Sequence, residues 1–90
     1  MSDPADDEAE VLRRVAANVR HWRLRRGLTQ KALADELEIH LETVRALEGA
    51  RRWPSVQFLV RVAAALDVDV RELFARREMG ARPMGRPKAR

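Results

Sequence analysis

Cysteine is absent from this sequence, which excludes disulfide bridges, thiolate zinc sites and a cysteine nucleophile. Histidine is scarce: only His21 and His40 are present, and no second ligand pattern surrounds either of them. We therefore expect no metal site and no cofactor. Aromatic residues are also few, with two tryptophans, two phenylalanines and no tyrosine. This composition disfavours an RNA-binding protein, because such proteins stack aromatic side chains on unpaired bases.

Long apolar runs are missing as well, and no stretch approaches the length needed to span a bilayer. The N-terminal residues, MSDPADDEAE, are acidic where a signal peptide would be basic and then apolar. There is no pairing of a base with a nucleophile and no glycine-rich loop that could hold phosphate. We expect a cytoplasmic protein that is not an enzyme and does not associate with a membrane.

Positive charge is what the sequence has in excess. The formal net charge at pH 7 is +4 and the pI is near 10.9. Sixteen of the eighteen basic residues are arginine, whose side chain binds phosphate bidentately. Residues 1–10 carry five acids and no base, whereas residues 75–90 carry six bases and one acid. This balance indicates a polyanionic partner.

The spacing of apolar residues predicts an all-α domain of five short helices over residues 11–79, because no segment shows the alternation of a strand. An acidic leader (residues 1–10) and a basic tail (residues 80–90) lack this spacing and are expected to be flexible. Thr29 and Ser55 are predicted helix caps. A capping pattern, Asp69 to Glu72, predicts a fifth helix that continues to Gly80. The predicted core residues are Leu12, Val15, Val19, Trp22, Leu33, Ala34, Leu37, Val44, Leu47, Leu59, Val62, Ala63 and Leu66.

Two short helices joined by a tight turn within a basic helical domain are typical of a helix-turn-helix DNA reader. From about Val15 to Phe74, the sequence resembles the phage-repressor and Cro-type (XRE-like) helix-turn-helix family. The residues that carry this resemblance are Val19, Arg20, Arg23, Gly27, Leu28, Thr29, Gln30, Leu33, Ala34, Val44, Leu47, Glu48, Pro54, Ser55, Leu59, Ala63, Leu66, Val68, Leu73 and Phe74.

The resemblance implies a sequence-specific regulator of transcription that binds double-stranded DNA. We expect a repressor that acts as a homodimer on a partly palindromic operator, with half-sites about 10 base pairs apart. The dimer surface is expected in the fifth helix, at Leu73, Phe74 and Met79. The alternative is a protein-interaction module, such as an antitoxin or a bridging coactivator, in which the same fold binds a protein partner.

The recognition helix implied by the resemblance starts near His40 and ends at Glu48. Arg45 is the candidate for a bidentate contact with guanine, and Glu42 for a contact with the amino group of cytosine. The alternative is that these two residues only form an exposed ion pair. The other residues expected on the face toward the major groove are Leu41, Thr43 and Ala46, of which Leu41 or Thr43 could meet a thymine methyl group.

Four further residues are candidates for contact with the DNA backbone or with a partner. The resemblance implies that Gln30 contacts a phosphate and braces the recognition helix, and the alternative is that Gln30 only caps its helix beside Thr29. Arg51 and Arg52 follow the recognition helix and are expected to contact phosphates. Trp53 is interpreted mainly as a lid over the core, with a contact at a dimer or DNA surface as the alternative.

The resemblance also implies a structural ion pair between Arg23 and Glu48 beneath the recognition helix. The sequence departs from the family at two positions of the turn. Glu38 stands where glycine is usual, so this residue must accept a left-handed conformation or the turn must differ. His40 stands where serine or threonine usually caps the recognition helix, so it either caps less well or approaches a phosphate as imidazolium.

The basic tail contains a second motif around Arg86, which resembles the core of an AT-hook that binds the narrow minor groove. Met84 stands where a second arginine would be expected. A basic tail that adds only non-specific affinity for DNA is the preferred interpretation.

Overall fold

The computed structural model describes residues 7–77. Four α-helices follow one another: α1 (Glu8–Arg25), α2 (Gln30–Leu37), α3 (Leu41–Glu48) and α4 (Val56–Leu66). A short 3-10 turn at Val70–Leu73 comes after them. Residues 7–77 contain no β-strand, so the predicted all-α class is confirmed for this part of the chain.

Side-chain caps explain where most of these elements begin. The hydroxyl of Thr29 accepts a hydrogen bond from the backbone N–H of Ala32 (2.9 Å), and the hydroxyl of Ser55 accepts one from Phe58 (3.0 Å). Each cap satisfies a backbone donor that has no partner within its helix. Both predicted caps are therefore confirmed. His40, in contrast, precedes α3 without a side-chain capping hydrogen bond.

One hydrophobic core unites all the elements. Val15 and Val19 of α1 are fully buried in this core together with residues of the other three helices, and Trp22 is only partly buried against it. The apolar spacing seen in the sequence therefore identifies most of the buried faces, but Leu12, which was also predicted in the core, is only half-buried and does not belong to it. The core residues are Val15, Val19, Leu33, Ala34, Leu37, Val44, Leu47, Leu59, Val62, Ala63, Leu66 and Leu73.

The first helix begins earlier than predicted. Asp7 caps α1 by accepting a hydrogen bond from the N–H of Ala9 (2.8 Å), and Glu8 and Glu10 lie in the first turn. Acidic side chains stabilise this end because it carries the positive pole of the helix dipole. Residues 8–10, which the sequence assigned to a flexible leader, are thus part of the folded domain.

The prediction of a fifth α-helix is wrong, since residues 70–73 form a 3-10 turn and residues 75–77 are not helical. Asn18, which is fully buried in α1, donates from Nδ2 to the backbone oxygens of Leu73 (3.0 Å) and Ala75 (2.8 Å). These bonds hold the segment against α1 rather than in a helix. Of the residues expected at the dimer surface, Leu73 is fully buried and so cannot form one, Phe74 is 40% exposed, and Met79 lies outside the described residues, as does Gly80.

The last described residue is also anchored to α1. The guanidinium of Arg77 lies over the ring of Trp22, 5.4 Å from its centroid, and Nη2 donates to Nε2 of His21 (2.5 Å). Burial lowers the pKa of His21, and the positive charges of Arg77 and Arg25 lower this pKa further. A neutral imidazole can accept the hydrogen bond from Arg77, so the contact agrees with the lowered pKa of His21.

The connection between α2 and α3 contains Glu38, which stands where glycine is usual in the family. This residue has φ 58° and ψ 46°, the left-handed conformation that glycine adopts most easily. Its backbone N–H bonds to the oxygens of Ala34 and Asp35, which closes the end of α2. The turn therefore keeps its geometry, and Glu38 accepts the strain.

Replacing Glu38 with glycine should accordingly stabilise the domain. We expect the free energy of unfolding to rise by about 0.5–1 kcal/mol, because the relief of left-handed strain exceeds the entropy that glycine adds to the unfolded chain. Thermal unfolding followed by circular dichroism measures the effect. Glu38→Ala is the control, since alanine keeps the strain, and an equal rise in both variants would contradict this explanation.

Candidate nucleic-acid interface

The candidate interface is the solvent-exposed face of α3, the helix that follows the turn after α2. Val44 and Leu47 point into the core. Most of the predicted contact residues lie on the opposite side, where Glu42, Thr43 and Arg45 are exposed and Leu41 and Ala46 are half-buried. His40 is exposed at the start of the helix. Glu42, Arg45 and Ala46 thus lie on the outer face of the helix, and Leu41 and Thr43 lie at its two edges.

A buried network fixes the position of this helix. Arg23 donates from Nε to Oε2 of Glu48 (2.6 Å) and from Nη2 to Oε1 (3.0 Å). The two side chains are only 8% and 4% exposed. Arg23 also donates from Nη1 to the backbone oxygen of Leu28 (2.8 Å). Because a bidentate pair is directional, it sets the register of α3 against α1.

Gln30 joins the same network from the start of α2. Its Nε2 donates to Oε1 of Glu48 (3.0 Å), while the capping bond of α2 comes from Thr29. Gln30 is half-buried and links α2 directly to α3. The simple capping role considered for Gln30 is therefore wrong. Glu48 belongs to α3, so this bond is the brace of the recognition helix that the resemblance implies for Gln30, and only the identity of the partner was not predicted.

On the exposed face, Glu42 contacts two arginines. Its Oε2 accepts from Nη1 of Arg45 (2.6 Å), and its Oε1 lies 3.9 Å from Nη2 of Arg51. The ion pair considered as an alternative to base contact is present in the free protein. All three side chains are at least half exposed, so each pair contributes little to stability.

The loop after α3 continues this surface. Arg51 and Arg52 are exposed, and Trp53 is 46% exposed and does not belong to the core. The interpretation of Trp53 as a lid over the core is therefore wrong. An open groove lies between α3, this loop and the start of α4. Its lining residues are Glu42, Thr43, Ala46, Leu47, Arg51, Arg52, Trp53, Pro54, Ser55 and Phe58.

Residues 19–73, more than half of the chain, match the profile of the helix-turn-helix family. The match includes both helices around the turn, the buried network and the loop with its arginines. The chain belongs to this family. This agrees with the resemblance to XRE-like regulators, and it makes the protein a DNA-binding regulator of transcription. Members of the family are typically not enzymes.

The solved structures that resemble this helix-turn-helix protein include two regulators. The restriction-modification controller protein C.AhdI from Aeromonas hydrophila is 32% identical, with a TM-score of 0.67 over 70% of this chain and 96% of the controller. A hypothetical transcription factor, NHTF, from Neisseria is 27% identical, with a TM-score of 0.71 over 83% and 86% of the two chains. No match was found among curated protein sequences.

Other sequence expectations concern residues away from the turn. Arg86 and the AT-hook-like motif lie outside the described residues. Between residues 7 and 77, no helix is long and apolar enough to cross a bilayer. The same residues contain no group of three histidine, aspartate or glutamate side chains that could hold a metal ion.

Proposed function

We propose that this regulator is a repressor that binds double-stranded DNA sequence-specifically, as a homodimer on a partly palindromic operator, and acts by occupying promoter DNA in the cytoplasm. The observation that supports this function most is the outer face of α3. There, Glu42, Thr43 and Arg45 are exposed on a helix whose position is fixed by the buried pair of Arg23 and Glu48. A rigid helix with polar side chains can read base edges in the major groove.

We assign direct base contacts to Arg45 and Glu42. The planar guanidinium of Arg45 matches the two acceptors of guanine, and the carboxylate of Glu42 matches the amino group of cytosine. Leu41 or Thr43 would meet a thymine methyl group. The residues assigned to phosphates are Gln30, His40, Arg51 and Arg52, with Arg86 added from the tail.

Regulation of transcription by this chain is supported by the two similar structures. One is a controller of a restriction-modification system and the other a transcription factor, according to their descriptions. A repressor needs only to occupy a promoter, so the domain described here suffices for that mechanism.

Selection of bound duplexes from a random pool, at near-physiological salt, tests this function. We expect enrichment of a motif with two-fold symmetry, whose half-sites are separated by about 10 base pairs. The motif selected in this way is called the operator below. Binding that enriches no sequence and disappears as salt rises would contradict the proposal, because it would show only charge-driven affinity. The protein-interaction module would then be favoured.

The homodimer requires a surface other than the buried Leu73, and α4 offers one. Val56 is 72% exposed and Val60 is 50% exposed, and they lie one turn apart on the same face. The helix has one charged residue, Arg61, whose Nη2 donates to the backbone oxygen of Leu37 (2.6 Å). Because the cores of interfaces are depleted of charged residues, we assign this face to the contact between two copies.

Placing a carboxylate on this face should weaken the dimer. We expect Val60→Glu to raise the dissociation constant of the dimer at least about tenfold, since it would bury two like charges near the two-fold axis. Sedimentation equilibrium measures the dissociation constant. Leu24→Glu is the control, because Leu24 is a similarly exposed apolar residue that belongs to α1 and not to the proposed face of α4. An unchanged dimer in Val60→Glu would exclude this face.

A further inference from the structure

One carboxylate on the proposed DNA-binding face lies close to two of its arginines. Glu42 contacts Arg45 within α3 (2.6 Å) and also reaches Arg51 from the following loop (3.9 Å). These are two of the cations assigned above to a base and to a phosphate. In the free protein, both are directed toward the same acid.

The backbone after α3 favours this arrangement of Arg51. A Cβ atom at Gly49 would lie 3.3 Å from Nε of Arg51 and 3.0 Å from the backbone oxygen of Arg45. Glycine therefore leaves the space in which the side chain of Arg51 lies along the end of α3. From this position its guanidinium extends toward Glu42.

Duplex DNA of any sequence presents phosphates that would compete with Glu42 for these arginines. Glu42 opposes such binding in two ways, because it holds both cations and because its own charge is repelled by the backbone. This cost is offset only where a base edge donates a hydrogen bond to the carboxylate. In the major groove, the amino groups of cytosine and adenine donate, whereas guanine and thymine present acceptors.

We propose that Glu42 is a specificity-determining residue that suppresses binding to non-operator DNA by holding Arg45 and Arg51 until a donor base replaces them. The inference rests on the proposed function, since it concerns the same surface. Glu42 acts mainly against DNA that lacks the operator sequence. Its removal makes the protein bind DNA more tightly but less selectively.

The test compares Glu42→Gln with wild-type protein on the operator and on a random-sequence duplex, over a range of salt concentrations. We expect the affinity of the variant for the random duplex to rise about fivefold or more. The slope of log affinity against log salt should become steeper by about 1–2, because each added phosphate contact contributes about 0.9. The ratio of operator to random affinity should fall at least about tenfold, since a base contact is also lost.

Glu10→Gln is the matched control. Glu10 and Arg13 form the same type of exposed pair, three residues apart with a distance of 2.7 Å, but in the first turn of α1. The substitution changes the net charge equally, and we expect less than about a twofold effect on the random duplex, because the charge lies far from α3.

The outcomes separate this inference from the proposed function. If the wild-type protein enriches an operator but Glu42→Gln behaves like Glu10→Gln on both duplexes, the inference fails and the proposed function stands. If the wild-type protein enriches no sequence, both fail. A rise in random-duplex affinity that is confined to Glu42→Gln, with a lowered affinity ratio, supports the inference. Circular dichroism of both variants verifies that they are folded.

Discussion

Replacement of Arg23 with alanine is expected to lower the free energy of unfolding by about 3–5 kcal/mol. The substitution leaves the carboxylate of Glu48 buried without its bidentate partner and removes the bond to the oxygen of Leu28. For a domain of this size each kcal/mol corresponds to about 4–8 °C, so the melting temperature should fall by more than about 12 °C. Thermal unfolding monitored by circular dichroism provides the measurement.

A double variant separates the buried charge from the loss of packing. We expect Arg23→Met combined with Glu48→Met to recover part of the stability lost in Arg23→Ala, because an apolar pair of similar volume does not bury an unpaired charge. Gln30 and Leu28 would still lose their partners, so the recovery should be incomplete. A melting temperature of Arg23→Ala equal to that of the wild type would show that the pair does not stabilise the domain.

Replacement of Arg45 with alanine is expected to have the largest effect on recognition. Affinity for the operator should fall about 5- to 150-fold, which corresponds to the 1–3 kcal/mol that a bidentate base contact contributes. Affinity for a random duplex should change less than about threefold, because Arg45 is already paired with Glu42 in the free protein. Fluorescence anisotropy with labelled duplexes at fixed salt measures both values.

Arg52→Ala is the comparison for this prediction. Arg52 is exposed in the loop and is assigned to a phosphate. Its removal should weaken binding to the operator and to the random duplex by similar factors and reduce the salt slope by about 1. If Arg45→Ala also weakens both duplexes equally, Arg45 contacts the backbone and not a base.

Local sequence signals were sufficient to predict much of the fold. The caps at Thr29 and Ser55 and the apolar spacing of α2 and α4 predicted where these helices begin and which face they bury. Such features act within one or two turns of a helix, so they can be read from neighbouring residues. The order of motifs in the chain likewise indicated the helix-turn-helix family, which the profile match shows.

The fifth helix shows where local signals fail. Asp69 does cap the turn that follows, since its Oδ1 accepts from the N–H of Arg71 (2.8 Å). Asp69 is therefore a true cap, yet the element that it opens is only a 3-10 turn. Asn18, far away in sequence, takes the carbonyl groups of Leu73 and Ala75. A polar residue buried in α1 thus determines the path of the chain after residue 73.

Some features of the candidate site could likewise be predicted from the sequence, and others could not. The family resemblance indicated the recognition helix and the arginines of the following loop, and the helical period indicated that Glu42 and Arg45 are exposed, because a helix face is determined by a regular period. The bond from Gln30 to Glu48, the reach of Arg51 toward Glu42 and the exposure of Trp53 depended on folding. Each of these results from how separate segments pack against one another, and side-chain contacts between distant residues leave no periodic trace in the sequence.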